Sequence, residues 1–150
     1  MTTPTTDEPV EFLLVEDSPS DAELTLHALR RHHLANRIHV VRDGVEALDF
    51  LFARGRYAGR DSENGPRVVL MDLKLPLVDG IEVLRQVKAD PRTREIPIVA
   101  LTSSREDRDI HECYTLGVNS YIVKPVDFDQ FTEAIQQLGL YWLVLNQSPT

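Results

Sequence analysis

Five times along this chain a short apolar run ends abruptly in polar residues, and between the runs the apolar positions return at helical spacing. The runs are Phe12-Leu13-Leu14-Val15, Ile38-His39-Val40-Val41, Val68-Val69-Leu70-Met71, Ile96-Pro97-Ile98-Val99-Ala100-Leu101 and Ser120-Tyr121-Ile122-Val123. Most are continuous rather than alternating, which is the mark of a strand buried on both faces, as in a parallel sheet. The second is the more polar and predicts an edge. Ser18-Pro19-Ser20-Asp21 carries helix-start chemistry. Leu24, Ala28 and Leu29 then form a stripe through about His33. Asp43-Gly44 opens a second helix, with Val45, Leu48, Leu51 and Phe52 on its apolar face. Asp79-Gly80 opens a third, carrying Ile81, Val83, Leu84 and Val87 and stopped by Asp90-Pro91. A fourth spans about 106–116, ahead of Gly117. A fifth begins near Asp127 and carries Phe128, Phe131, Ile135 and Leu138. Residues 55–66, polar and glycine-rich, read as a long mobile surface loop. Regular alternation of strand and helix predicts a doubly wound α/β fold: a five-stranded parallel sheet with five helices on its two faces.

Length and charge narrow the picture. With 150 residues the chain suits one domain, and its net charge of −8 disfavours nucleic acid and favours a hard cation or a basic protein surface. The single cysteine, Cys113, excludes an internal disulfide and a multi-cysteine zinc site, and reads as a small apolar helix residue. His27, His32 and His33 match no metal spacing and read as a solvated helix face. No run approaches the ~20 apolar residues of a membrane span. Residues 1–9 are Thr-rich and acidic, without signal-peptide regions, and are expected to be a disordered tail of a cytoplasmic protein. The domain is expected over 10–145, its last helix extended, with 146–150 as a tail. Leu140-Tyr141-Trp142-Leu143-Val144-Leu145 is too apolar for a free terminus and predicts an interface or a return onto the core.

In a parallel sheet, functional groups stand beyond the carboxyl ends of the strands. Those ends carry Glu16 and Asp17, Asp72, Thr102, and Lys124. Asp72 alone could be a turn or helix cap, but polar groups at four strand ends are hard to explain as caps. Three carboxylates together repel unless a divalent cation relieves them. A carboxylate nucleophile, a metal, a lysine and a hydroxyl are the parts of a phosphoryl transfer onto Asp72. No ATP-cradling loop is present, so the donor comes from elsewhere.

The chain thus resembles the receiver domain of two-component response regulators. The matching residues are Val15-Glu16-Asp17, Met71-Asp72-Leu73-Lys74-Leu75-Pro76, Asp79-Gly80, Leu101-Thr102-Ser103 and Tyr121-Ile122-Val123-Lys124-Pro125, in order over about residues 10–140. The resemblance implies a flavodoxin-like receiver fold and a single-domain regulator that is a phosphoacceptor rather than an enzyme. It implies Asp72 as phosphoacceptor. Mg²⁺ is implied on Asp17, Asp72 and the Lys74 backbone carbonyl, with Glu16 acting through water. Thr102 and Tyr121 are implied as the switch pair, Lys124 as the phosphoryl-binding cation, and Lys124-Pro125 as a cis peptide. Glu16 and Lys74 depart from the commoner Asp and Asn. The 55–66 loop, the Arg42-Asp43-Gly44 turn and the Trp142-Leu143 ending resemble regulators paired with bacterial phytochrome histidine kinases. This implies a phytochrome-type kinase as partner and a homodimer through helix 4, strand 5, helix 5 and the C-terminal segment. A rival reading is an aspartyl-phosphate-forming phosphohydrolase, which usually carries a second acid two residues after the nucleophile, where Lys74 stands. A flavodoxin-like cofactor binder would need a phosphate-cradling loop where Glu16-Asp17 stands.

Overall fold

The computed structural model describes residues 12–30, 38–60, 65–103 and 107–140, apart from the side chains of 107–110. Strands β1 (Phe12–Val15), β2 (Ile38–Val41), β3 (Val68–Asp72), β4 (Ile98–Thr102) and β5 (Ser120–Val123) form one sheet in the order β2-β1-β3-β4-β5. Every pairing is parallel. Helices α1 (Pro19–Arg30), α2 (Gly44–Leu51), α3 (Gly80–Ala89), α4 (Asp107–Thr115) and α5 (Phe128–Gln137) connect them. This is the doubly wound sandwich that the alternation predicts, with β2 at an edge.

The period-2 alternation of strand side chains divides the core. Leu13, Val15, Val69, Met71, Ile98 and Ala100 pack with Leu48, Val83, Leu84 and Cys113 from α2, α3 and α4. Phe12, Leu14, Val68, Leu70, Val99 and Leu101 pack with Leu29, Phe131 and Ile135 from α1 and α5. Both faces of the central strands are covered, which is why their sequences are unbroken apolar runs. The same alternation carries Glu16 and Asp72 toward the α1 side. The chain order reverses at β1 and β3, so the crevice at the carboxyl end opens between Asp17 and Asp72.

Several sequence expectations shift. Leu24 is 54% exposed and Val45 41% exposed. The buried stripe of α1 runs instead through Ala22, Thr25 and Leu29, and that of α2 through Ala47, Leu48, Phe50 and Leu51. Strand β4 begins at Ile98 rather than residue 96. Pro97 has no N–H for the ladder, although its carbonyl accepts from Val69 N–H at 2.9 Å.

Helix α5 closes with a Schellman turn. Gly139 adopts φ +74, its N–H donates to Gln136 O at 3.0 Å, and Leu140 N–H donates to Ile135 O at 3.1 Å. The helix therefore ends at this turn. Residues 1–11 and 141–150, where the tail and interface expectations fall, lie outside the described residues, as do His32 and His33.

The segment after α2 is tied down where a free loop was expected. Tyr57, in a 3-10 turn over Gly55–Tyr57, donates to Glu46 Oε2 at 2.8 Å and lies 3.0 Å from His39 Nε2. Its ring meets Phe50 edge-on, and His39 stacks on the same Phe50. Arg60 donates to the Phe50 and Leu51 carbonyls at 2.9 and 3.3 Å, satisfying groups that the end of α2 leaves open. Burial lowers the His39 pKa, and burial together with the Glu46 contact pushes the Tyr57 hydroxyl up to about 12.

Candidate functional site

Four strand ends supply the site, and their register sets its height. Asp72 pairs with Leu101 and Thr102 pairs with Val123, so each strand toward β5 reaches one residue further along the chain. Lys124 follows β5 directly, its N–H donating to Thr102 O at 2.8 Å. The Lys124–Pro125 peptide is cis, as the resemblance implies.

Asp72 is buried and its carboxylate is held at both oxygens. Oδ1 accepts from Lys74 N–H at 2.9 Å, and Oδ2 from Lys124 Nζ at 2.7 Å. The same ammonium lies 2.8 Å from Glu16 Oε1 and 3.0 Å from Asp21 Oδ2. Glu16 is fully buried, and its Oε2 accepts from Ser18 N–H at 3.3 Å. Ser18 Oγ in turn accepts from Asp21 N–H at 3.2 Å, which fixes the start of α1 beside the acids. Asp17 is exposed at the mouth.

Burial raises the Glu16 pKa to about 7, with Asp72 pushing the same way and Lys124 opposing. Burial pulls the Lys124 pKa down, but the carboxylates of Asp72, Glu16 and Asp21 beside it outweigh that, and the net displacement is upward. The consequence for pH is direct. The folded protein keeps the Glu16 proton up to about pH 7, whereas an unfolded glutamate releases it near 4.5. The metal-free protein therefore loses stability as pH rises through that window. With chelator present, Glu16→Gln is expected to exceed wild type by about 1–2 kcal/mol at pH 8 and to match it at pH 5. Urea unfolding at the two pH values checks this.

One ligand oxygen each from Glu16, Asp17 and Asp72 lies within 4.8 Å of the other two. Oxygen-only donors of this charge suit a hard divalent cation. Glu16 Oε1 is buried and, despite the nearby ammonium, makes no aligned hydrogen bond. One lysine does not balance these acids, so the residues present fit a metal.

A cleft of about 120 Å³ opens beside Asp72, lined by Lys74, Asp79, Ile81, Thr102 and Ser103 among others. Thr102 is buried at its wall. Tyr121 stands apart from the cleft, 39% exposed, its ring edge-on to Tyr114 with centroids 6.2 Å apart. The structure thus gathers Glu16, Asp17, Asp72, Lys74, Thr102 and Lys124 at one edge and leaves Tyr121 on the β5 surface. It adds Asp21, which the sequence presented only as helix-start chemistry. Its place in the first turn of the helix that directly follows the Glu16-Asp17 strand end is the signal that could have placed it here.

The chain is similar to proteins of one kind. The structure of the bacteriophytochrome response regulator AtBRR is 56% identical with a TM-score of 0.81, covering 90% of this chain and 96% of that one. The probable methanogenesis regulatory protein FilR2 of Methanothrix harundinacea is 42% identical over 143 residues, spanning 95% of this chain and 90% of that protein. The receiver domain of the sensor histidine kinase PA1611 of Pseudomonas aeruginosa PAO1 has a magnesium ion coordinated in its active-site cleft. It is 30% identical with a TM-score of 0.68, covering 88% of this chain and 99% of that one. The family model of the response regulator receiver domain matches residues 12–136, and this chain belongs to that family.

Proposed function

We propose that this receiver accepts a phosphoryl group on Asp72 from a histidine kinase in a Mg²⁺-dependent reaction, and signals through a shift of Thr102 and Tyr121. The observation that carries the reading is the Asp72 carboxylate, held by Lys74 N–H and Lys124 Nζ beside a small cleft with Thr102 on its wall. An Asp72 oxygen attacks the phosphorus of a phosphohistidine, the P–N bond breaks, and its electron pair leaves on the imidazole. Lys124 turns to the arriving phosphoryl oxygens, and the Thr102 hydroxyl donates to another.

Receiver domains bind Mg²⁺ at an acidic site. Here Asp17 and Asp72 would hold it directly, the Lys74 backbone carbonyl as a third ligand and Glu16 through water. The ion supplies charge neutralisation for the oxygens of the transferring group. The rival phosphohydrolase reading lacks its second acid, since exposed Lys74 occupies that place.

The partner is a phytochrome-type kinase on this reading, supported by the likeness to AtBRR and by exposed Leu24 on α1 beside the site. Output goes through a homodimer across α4, β5 and α5, with the segment from Leu140 onward contributing. A cleft of about 300 Å³ lined by Tyr114, Tyr121 and Gln137 supports that face. The test is incubation with acetyl phosphate, with and without Mg²⁺, followed by intact mass and sedimentation. The expected result is a Mg²⁺-dependent gain of one phosphoryl group and the mass of a dimer. No gain under any condition overturns the phosphoacceptor reading, and a gain on a protein that sediments as a monomer throughout overturns only the dimer.

A further inference from the structure

We infer that Asp21 is a positioning residue that holds Lys124 away from an incoming donor and selects phosphodonors by their charge. The inference rests on the phosphoacceptor reading of Asp72 and goes beyond it.

Lys124 Nζ is shared by three carboxylates, and two of them belong to the acidic triad that fits a cation. Asp21 is the third, at 3.0 Å, and it stands outside the triad. A divalent cation held by Glu16, Asp17 and Asp72 would relieve those three and leave Asp21 paired with the lysine. The Asp21 side chain is 39% exposed, against 14% for Lys124, so it covers the ammonium from the solvent side.

The place it covers borders an opening that shares Ser103 with the cleft beside Asp72. A second cleft, of about 380 Å³, is lined by Asp21, Leu24, Thr25, Ser103, Lys124 and Pro125 among others. Lys124 therefore borders an opening on the α1 side, with Asp21 at its wall. A donor bringing negative charge there meets Asp21 as a like charge and competes with it for Lys124. A donor whose leaving end is cationic meets an attraction instead. Asp21 thus raises the barrier for anionic acyl phosphates relative to phosphoramidates, the class to which a phosphohistidine belongs.

Two small donors separate these effects. In both, an Asp72 oxygen forms the new P–O bond. Acetyl phosphate loses its acyl C–O–P link at phosphorus, and the electron pair departs on acetate. Phosphoramidate, protonated on nitrogen, loses its P–N bond, and the pair departs on neutral ammonia.

The experiment is the rate of phosphorylation by each donor at fixed Mg²⁺, read by intact mass, in wild type, Asp21→Asn and Asp21→Glu. Asp21→Asn is expected to speed acetyl phosphate labelling about fivefold, while phosphoramidate labelling stays level or slows. Asp21→Glu, which keeps the charge, is expected to restore the wild-type ratio of the two rates. Thermal unfolding of each variant accompanies the kinetics, because a merely structural role would change both donors together. An unchanged ratio in Asp21→Asn, or the same shift in Asp21→Glu, overturns this inference while Asp72 remains the acceptor. Absence of label from both donors in wild type overturns the phosphoacceptor reading and this inference with it.

Discussion

Asp72→Asn is expected to reduce phosphoryl incorporation to background with every donor while leaving the fold intact. A neutral amide oxygen is a far weaker nucleophile than a carboxylate, and no neighbouring acid occupies the same place. Asp17 is exposed at the mouth, and Glu16 is engaged below by Ser18 N–H and Lys124. The variant should not fail by unfolding. The asparagine carbonyl can still accept from Lys74 N–H, and Lys124 keeps Glu16 and Asp21 as partners. Removing one of several crowded carboxylates relieves repulsion, so metal-free stability should hold or rise, by up to about 1 kcal/mol. Intact mass after acetyl phosphate treatment and urea unfolding of the same sample check both halves. A stable phosphoryl adduct on the variant would move the acceptor to another residue.

The largest expected loss of stability comes from Gly44→Ala. A Cβ added at Gly44 would lie 1.8 Å from the Val78 carbonyl oxygen and 2.6 Å from its carbon. The obstacle is backbone, which cannot rotate aside as a side chain could. Gly44 N–H also donates to Pro76 O at 3.3 Å, so the head of α2 is pressed against the loop that follows Asp72. Gly80 clasps the same loop from its other end, where a Cβ would meet Asp72 O at 2.6 Å. Leu77, between the two contacts, is held at φ +69, a conformation unfavourable for a leucine. Displacing this loop should cost about 3 kcal/mol, or roughly 10 °C in the unfolding midpoint. Phosphorylation should slow as well, since the loop carries the Lys74 amide that holds Asp72. Gly59, with nothing within 4 Å of an added Cβ, is the control, and Gly59→Ala should change stability by less than about 0.5 kcal/mol. Thermal unfolding of the two variants side by side decides the matter. Equal midpoints would mean that the α2–loop contact yields without cost.

Much of the fold was legible because its rules are local. Four or five apolar residues without a polar break can be buried only on both faces, and β-α alternation leaves a doubly wound parallel sheet as the economical solution. Parallel strands share one carboxyl edge, so the residues after each run had to meet there. That is why Glu16, Asp17, Asp72, Thr102 and Lys124 can be read together from the sequence. The errors were also local in kind. Leu24 and Val45 are apolar at helical spacing, yet α1 and α2 present a different face to the sheet, which leaves these two exposed and buries Thr25 and Phe50.

What only the tertiary structure decided lies in contacts between residues far apart in the chain. The 55–60 segment reads as free loop because nothing near it in sequence needs Tyr57 or Arg60. Their partners, His39 at the sheet edge and the last carbonyls of α2, are assembled by the fold. Asp21 reads as an acid in a first helical turn, and its contact with Lys124 spans 103 positions. The sequence by itself determined which groups stand at the carboxyl edge, because strand periodicity and parallel connectivity leave no other arrangement. How the single ammonium of Lys124 is divided among Glu16, Asp21 and Asp72 was decided by the tertiary fold that brings the head of α1 and the ends of β1 and β3 to the residue after β5, since charges interact through distance in space and not along the chain.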